Sequence, residues 1–448
     1  MTPLKTEAAE PIGARTVANV ALIRLLIGLG QGLLLYHLRT TTMANDWPLS
    51  DAAVARALLA VVIFVPVTAL FSLGVLRPRT LALWLAVVAC LCVGLGLHSQ
   101  WREAPVPIFY PFLVAPVFPA LALLFFIGQA LVSVADRTGS RDLRPQIFRV
   151  YWRQATQLLF AGFFAIVSLW VFGACTTLFG APRSFHEPIF TVLVTTTAFA
   201  GAMHLAITGE KALADVQQFA ANVFAGLMLP ILLLVASVFL GTMLFRLNMT
   251  NATATLLGMA FALVVMINSP AASTGASDVS TSKFHRPLEY FHRIAILMLI
   301  LLLVVAAVAL GLRVEQYGWT PARIIAASGV AALGLHAVGY AAALRSGRTL
   351  LGLASTNTVA AGAICLLLVA LMTPLADPAR LTVADQIHRL ETGRIAARNF
   401  DYHLLYWRSA IYGWQALERL TKTTDGPDAD LIAKKAKEAH GHAYGSTR

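Results

Sequence analysis

Eleven stretches of the chain are continuously apolar: 17–37, 54–76, 80–98, 109–134, 157–180, 189–207, 222–245, 253–268, 294–312, 324–344 and 357–375. The hydrocarbon core of a bilayer takes about 20 residues of α-helix. Each stretch meets or approaches that length, 253–268 being the shortest. The strands of a membrane barrel would alternate apolar and polar positions, and these stretches do not. A membrane span must also satisfy its own backbone polar groups, so the pattern predicts helices. After Ala376 the apolar pattern stops. In the polar tail, Thr382 can cap a helix that runs through Asp385, Gln386, Arg389 and Leu390 to a stop at Gly393. A second helix is expected over 400–420, with Leu404, Trp407, Ile411, Trp414 and Leu417 at helical spacing. The charged, glycine-punctuated stretch from Thr421 is expected to fray. The predicted fold is all-α: a polytopic transmembrane helical bundle of about 11 helices over 17–375. An N-terminal tail (1–16) precedes it and a short α-helical extramembrane tail (376–448) follows.

Composition supports lipid as part of the solvent. Hydrophobic residues make up 58% of the chain and charged residues 12%, against roughly 45–50% and about 25% in soluble domains. The net charge of +12 would ordinarily raise nucleic acid as a partner. Here the basic residues collect in short loops between apolar runs, and no arginine–aromatic stripe marks a soluble face. No nucleic-acid role is read from them. Loops after even-numbered runs hold thirteen Lys and Arg, and loops after odd-numbered runs hold six. By the positive-inside rule the N-terminus is cytoplasmic, and eleven crossings place the tail in the periplasm. The Leu, Ala, Val and Arg bias, with few Lys and Asn, points to a GC-rich bacterial genome and hence to the inner membrane. The first sixteen residues are polar, and the run that follows lacks a small-residue cleavage site, so no cleavable signal is expected.

Four cysteines (Cys90, Cys92, Cys175 and Cys365) lie in or beside apolar runs without partners at metal-ligand spacing, so neither a metal nor a cofactor is expected. No Walker A loop, dinucleotide fingerprint, His-Glu-x-x-His or nucleophile elbow is present. Glu210, Asp215 and Glu289 flank the runs instead of lying within them, which disfavours a proton-coupled carrier built on buried carboxylates.

Few polar side chains lie within the runs. Arg24 sits seven residues into the first, about 10 Å deep at 1.5 Å per residue. Its insertion costs about 2.5 kcal/mol or more. Gln31 and the pair Gly28 and Gly32 follow on the same helix face, where small residues permit close approach. This face reads either as an anion or headgroup site or as an arginine snorkelling to the interface or paired structurally. His336 and Tyr340, four apart, form a proton relay or a neutral interhelical pair. His204 is expected at the cytoplasmic interface, and Asn268 as a cap beside Ser269-Pro270. Pro111, Pro116 and Pro119 would break the fourth helix, and broken helices frame many transport sites. In the tail, Asp401 and His403 are the one close acid–base pair, the sole support for a membrane transferase.

Several segments resemble the bacterial membrane family known as domain of unknown function 4153. They are Arg24-Leu-Leu-Ile-Gly28-Leu-Gly30-Gln31-Gly32, the hairpin from Asn251-Ala-Thr to Ile267-Asn268, and Arg313-Val-Glu315-Gln-Tyr317-Gly318-Trp-Thr320-Pro-Ala-Arg323. In the last, Trp319 stands where the family commonly has Leu. The tail adds Gln386-Ile-His-Arg389-Leu390, Phe400-Asp401 and Tyr412-Gly413-Trp-Gln-Ala416-Leu417. Together they touch residues 17–420. The resemblance implies a multi-helix inner-membrane fold with a small C-terminal extramembrane segment, and no catalytic residue.

Two functions remain open on the sequence. One is movement of a lipid-like or anionic envelope component, with Arg24 as anchor and Pro116 and Pro119 breaking a helix along the path. The other is an envelope scaffold or sensor. Its tail would bind a partner protein through Gln386, Arg389, Asp401, Trp407, Tyr412 and Trp414, since aromatic residues serve as interface anchors. The lipid bilayer is a partner in either case, and oligomeric state is not legible.

Overall fold

The computed structural model describes residues 14–44, 50–103, 116–138, 147–180, 182, 185, 187–246, 252–273, 285–346 and 349–445. Asn248 and Asn251, Pro111, and most of the N-terminal tail lie outside them. The first part of the chain folds as α1 (Ala14–Ala44), α2 (Ala52–Ser72), α3 (Pro78–Trp101), α4 (Val117–Thr138), α5 (Ile147–Leu178) and α6 (Pro188–Thr208). Then α7 (Glu210–Val223) passes through a π-turn at Phe224–Met228 into α8 (Leu229–Arg246). After them come α9 (Ala252–Ser273), α10 (His285–Tyr317), α11 (Pro321–Arg345) and α12 (Thr349–Leu371). The tail holds α13 (Pro378–Glu391), α14 (Tyr402–Arg408), α15 (Ala410–Leu420) and α16 (Ala429–Gly445). No strand occurs among the described residues.

Eleven helices are long and apolar enough to cross a membrane, the α7–α8 pair counting as one. The chain is a multi-pass membrane protein. The short run at 253–268 is α9, and its Leu256, Ala260 and Leu263 are fully buried at the centre of the largest hydrophobic cluster. Local chemistry sets the helix starts. Asp51 accepts from the Ala53 and Val54 amides, and Pro78, Pro188 and Pro321 occupy first turns, where a missing N–H costs nothing. The same rule bears on Pro116 and Pro119, although residues 109–115 of the expected fourth run lie outside the described residues. Pro116 immediately precedes α4 and Pro119 is its third residue, so neither interrupts it. The run read as 109–134 gave no sign of this start, because the residues before it are apolar too.

Helices α1 to α6 form one group and α7 to α12 another, joined where α12 packs on α4 and α5, and α5 on α9. Glycines set the closest crossings. A Cβ on Gly28 would lie 2.6 Å from that of Ala200, and one on Gly96 2.8 Å from the Ala57 Cα. The loops fall on two faces. The turn after α2 meets the end of α4, where Asp136 accepts from the Arg77 amide. On the opposite face the tail meets the end of α3 and the α10–α11 turn. The tail and these two loops all follow odd-numbered spans, as alternate crossing requires.

The tail helices have a hydrophobic cluster of their own, with Leu405, Tyr406, Leu417 and Ala436 at its centre. Three details differ from the sequence expectation. Asp377, not Thr382, caps the first tail helix, accepting from the Ala379 amide 2.8 Å away. The expected 400–420 helix is split at Ser409, where Ala410 adopts a φ of +51°. The stretch from Thr421 does not simply fray: it includes α16, which packs on α14 and α15 through Ala436 and Ala439.

Candidate functional site

Three polar constellations stand out. The first is centred on Arg24, which is only 1% exposed. Its Nη2 donates to the Leu73 carbonyl at 2.6 Å and its Nη1 to His204 Nδ1 at 3.0 Å. A guanidinium only donates, so His204 accepts through Nδ1. Leu73 is the C-cap of α2, and a cation there meets the negative end of the helix dipole. Gly28 and Gly32 bring α1 against Thr196 and Ala200 of α6. Gln31 turns towards α2 and donates to the Val62 carbonyl at 3.0 Å. That carbonyl lies four residues before Pro66, which has no N–H to offer it. Leu73, His204 and Val62 are thus what the polar groups of this helix meet.

The second constellation joins three spans. Asn268 Nδ2 donates to the Tyr340 hydroxyl, Tyr340 donates to Asn357 Oδ1, and Asn357 Nδ2 donates to Asn268 Oδ1, each at 2.6 Å. Asn268 also donates to the Val264 carbonyl. This ring corrects the reading of Asn268 as a terminal cap, because α9 continues past it to Ser273. His336 packs edge-to-face on Tyr340, and its Nδ1 bonds to the Ala332 carbonyl of its own helix. Asn357 escaped the sequence reading, as did Gln129, which accepts from Ser72 and Trp84 and donates to Ser133. A lone amide inside an apolar run was the available signal for both.

The third lies where the tail docks. At the α10–α11 turn, Gly318 has a φ of +75°. A Cβ there would sit 2.5 Å from Gln386 Nε2 and 2.6 Å from Asp385 Oδ2. Asp385 accepts from the Trp319 amide at 2.7 Å. Gln386 donates to the Tyr317 and Trp319 carbonyls, both at 3.1 Å. Arg389 donates to the carbonyls of Val314, Glu315 and Gln316 and so caps the end of α10. At the end of α3, Arg102 Nη2 pairs with Asp377 at 2.8 Å, the Ile411 amide donates to the Arg102 carbonyl, and Trp101 packs edge-on against Tyr412. Burial and then the Asp377 carboxylate push the Tyr412 phenol above its ordinary range, so it stays a donor at neutral pH.

Several buried polar atoms at this joint have no hydrogen-bond partner among the described residues: Asp377 Oδ2, Tyr412 OH, Arg102 Nε and His98 Nε2. They include an acceptor and donors, the kinds of group that water commonly satisfies. The remaining tail residues divide. Asp401 caps α14 through the Leu404 amide, which accounts for it without an acid–base role. Trp414 packs against His440 within the tail. Trp407 is 48% exposed. A shallow groove of about 310 Å³ runs between α13 and α15, lined by Val383, Ile387, Tyr412 and the charged Arg380, Glu391 and Arg419. Among the described residues, no three His, Cys, Asp or Glu gather closely enough to hold a metal ion.

No curated protein and no solved structure matches the chain. A family match does cover residues 53–420. It takes in Tyr317-Gly318 and Gln386-x-x-Arg389, which the fold brings into contact across some 70 residues of sequence, and it leaves the Arg24 motif outside. Since the matched segment spans most of the membrane bundle and the tail through α15, the chain belongs to the family described as Domain of unknown function (DUF4153).

Proposed function

We propose that the protein is an envelope platform of the bacterial inner membrane, its N-terminus cytoplasmic and its C-terminal helices presented to a partner protein in the periplasm. One observation carries this reading: the C-terminal unit is fixed to a turn in each half of the bundle, through Arg102–Asp377 and through Asp385, Gln386 and Arg389. Such fixation holds the exposed Trp407 and the α13–α15 groove in a defined orientation. Pre-ordering lowers the entropic cost of binding, and exposed tryptophans are common hot spots. The bundle's main polar groups are meanwhile engaged within the protein. The test is complementation of the phenotype caused by loss of the gene, at matched membrane levels. Trp407→Ala is expected to abolish complementation and Arg24→Lys to retain it. The opposite pattern would move the function into the bundle.

One observation favours translocation of a lipid-like or anionic component instead. Among the described residues Arg24 bonds to a carbonyl and a histidine and to no carboxylate, and its Nε has no partner. A buried charge in this state attracts an anion. On this reading Arg24→Gln stops export or uptake in membrane vesicles while removal of residues 377–448 leaves some activity.

A further inference from the structure

Between α10 and α11 lies an apolar groove of about 560 Å³, lined by Val304 and Ala307 on one side and Val330, Gly334 and Ala341 on the other, with Arg345 at one end. Val304 and Val338, both more than half exposed, place its opening on the outside of the bundle. From Val330 to Arg345 the wall is fifteen residues long, about 22 Å of helix. One leaflet of the hydrocarbon core is about 15 Å deep. The groove therefore reaches from the bilayer middle to one face. Arg345 is its one charged lining residue. Arg293 lies seven residues before Ile300 along α10, on the same helix face and towards the same end. Both arginines sit on the face whose loops are richest in Lys and Arg, and anionic lipids are concentrated in the leaflet beside such loops.

We infer that this groove binds one anionic phospholipid from that leaflet, an acyl chain along α11 and the phosphate against Arg345. Charge complementarity selects this occupant over a zwitterionic lipid, whose own ammonium offsets its phosphate, and over a second copy of a chain whose net charge is +12. The inference is independent of the platform reading, since the groove lies at the opposite face from the C-terminal unit.

The experiment is native mass spectrometry of the full chain in detergent, titrated with dioleoyl phosphatidylglycerol or dioleoyl phosphatidylcholine. The wild type is expected to bind one phosphatidylglycerol in preference to phosphatidylcholine. Arg345→Gln is expected to weaken phosphatidylglycerol about fivefold, the worth of one basic residue near an anionic surface, and to weaken phosphatidylcholine less, so that the preference between the two shrinks. A Cβ at Gly334 meets nothing within 4 Å, so Gly334→Leu fills the groove without moving either helix and is expected to weaken both lipids. Equal binding of the two lipids by the wild type would overturn the assignment. Unchanged binding by Gly334→Leu would place the lipid elsewhere, and a lipid-free dimer would give the groove to a second copy.

Discussion

Two buried arginines, Arg24 in the first span and Arg389 in the tail, solve the same problem at opposite faces of the bundle. Each sends its guanidinium to carbonyls at the end of a helix, Leu73 after α2 for one and Val314 to Gln316 at the end of α10 for the other. Among the described residues neither is paired to a carboxylate, and each leaves Nε without a partner. The favourable end of the helix dipole stands in for a counter-ion. The difference lies in what each arginine joins. Arg24 ties α1 to α2 and α6, helices that already pack against α1, α6 most extensively. Arg389 joins a separate cluster of helices to a single turn, and among the described residues the Arg102–Asp377 pair and the contacts around it form a second attachment. Loss of Arg24 is therefore expected to be spread over a large interface, and loss of Arg389 to be felt at once as undocking.

The largest effect is expected where that joint is tightest. Gly318→Ala must place a side chain in left-handed backbone, at a cost of about 1–2 kcal/mol, and must also push aside Gln386, Asp385 and Arg389. The C-terminal helices should detach while the bundle stays folded. Hydrogen exchange should rise across α13 and protease should cut near 372–377, with the spans unchanged. Protection of α13 equal to the wild type would mean that the α3 attachment suffices alone.

Replacing each arginine by lysine sharpens the contrast. A lysine keeps the charge but loses the planar fork that reaches two partners at once. Arg389→Lys is expected to cost about 2 kcal/mol of docking, within the range for hydrogen bonds to charged groups, read as increased exchange of α13. Arg24→Lys should instead lower the thermal midpoint of the bundle and leave α13 protected. Loss of α13 protection in Arg24→Lys would show that the two faces are coupled, contrary to this picture.

These pairings also mark where the sequence stops being informative. Helical spacing places Arg24, Gln31 and the two glycines on one face, because 3.6-residue periodicity is a local property. It cannot supply Leu73 or His204, which come from other helices. His336 and Tyr340 were legible as neighbours for the same reason, while Asn357, the group that actually closes the ring with Tyr340 and Asn268, lies in the next span. In the tail, Thr382 and Asp377 both fit a capping position. Pro378 favours Asp377, since proline is suited to the first helical residue. The helix after Thr421 was missed because alanines form its buried face, too weak a stripe to read from hydropathy.

The smallest effect tests the arrangement at Gln31. If its role is to satisfy the carbonyl that Pro66 leaves without a donor, the two positions are energetically coupled. Gln31→Leu exposes the Val62 carbonyl to an apolar surrounding, and interhelical hydrogen bonds within membranes average about 0.6 kcal/mol. A comparable loss is expected in a reversible unfolding assay in mixed micelles. Pro66→Ala restores an N–H at the fourth position after Val62, so the same Gln31→Leu change in that background should cost nothing measurable. The cycle isolates the pair because proline and glutamine bear on the same oxygen. Equal costs in both backgrounds would leave Gln31 as packing alone, and the first span would then hold one functional polar residue, Arg24, instead of two.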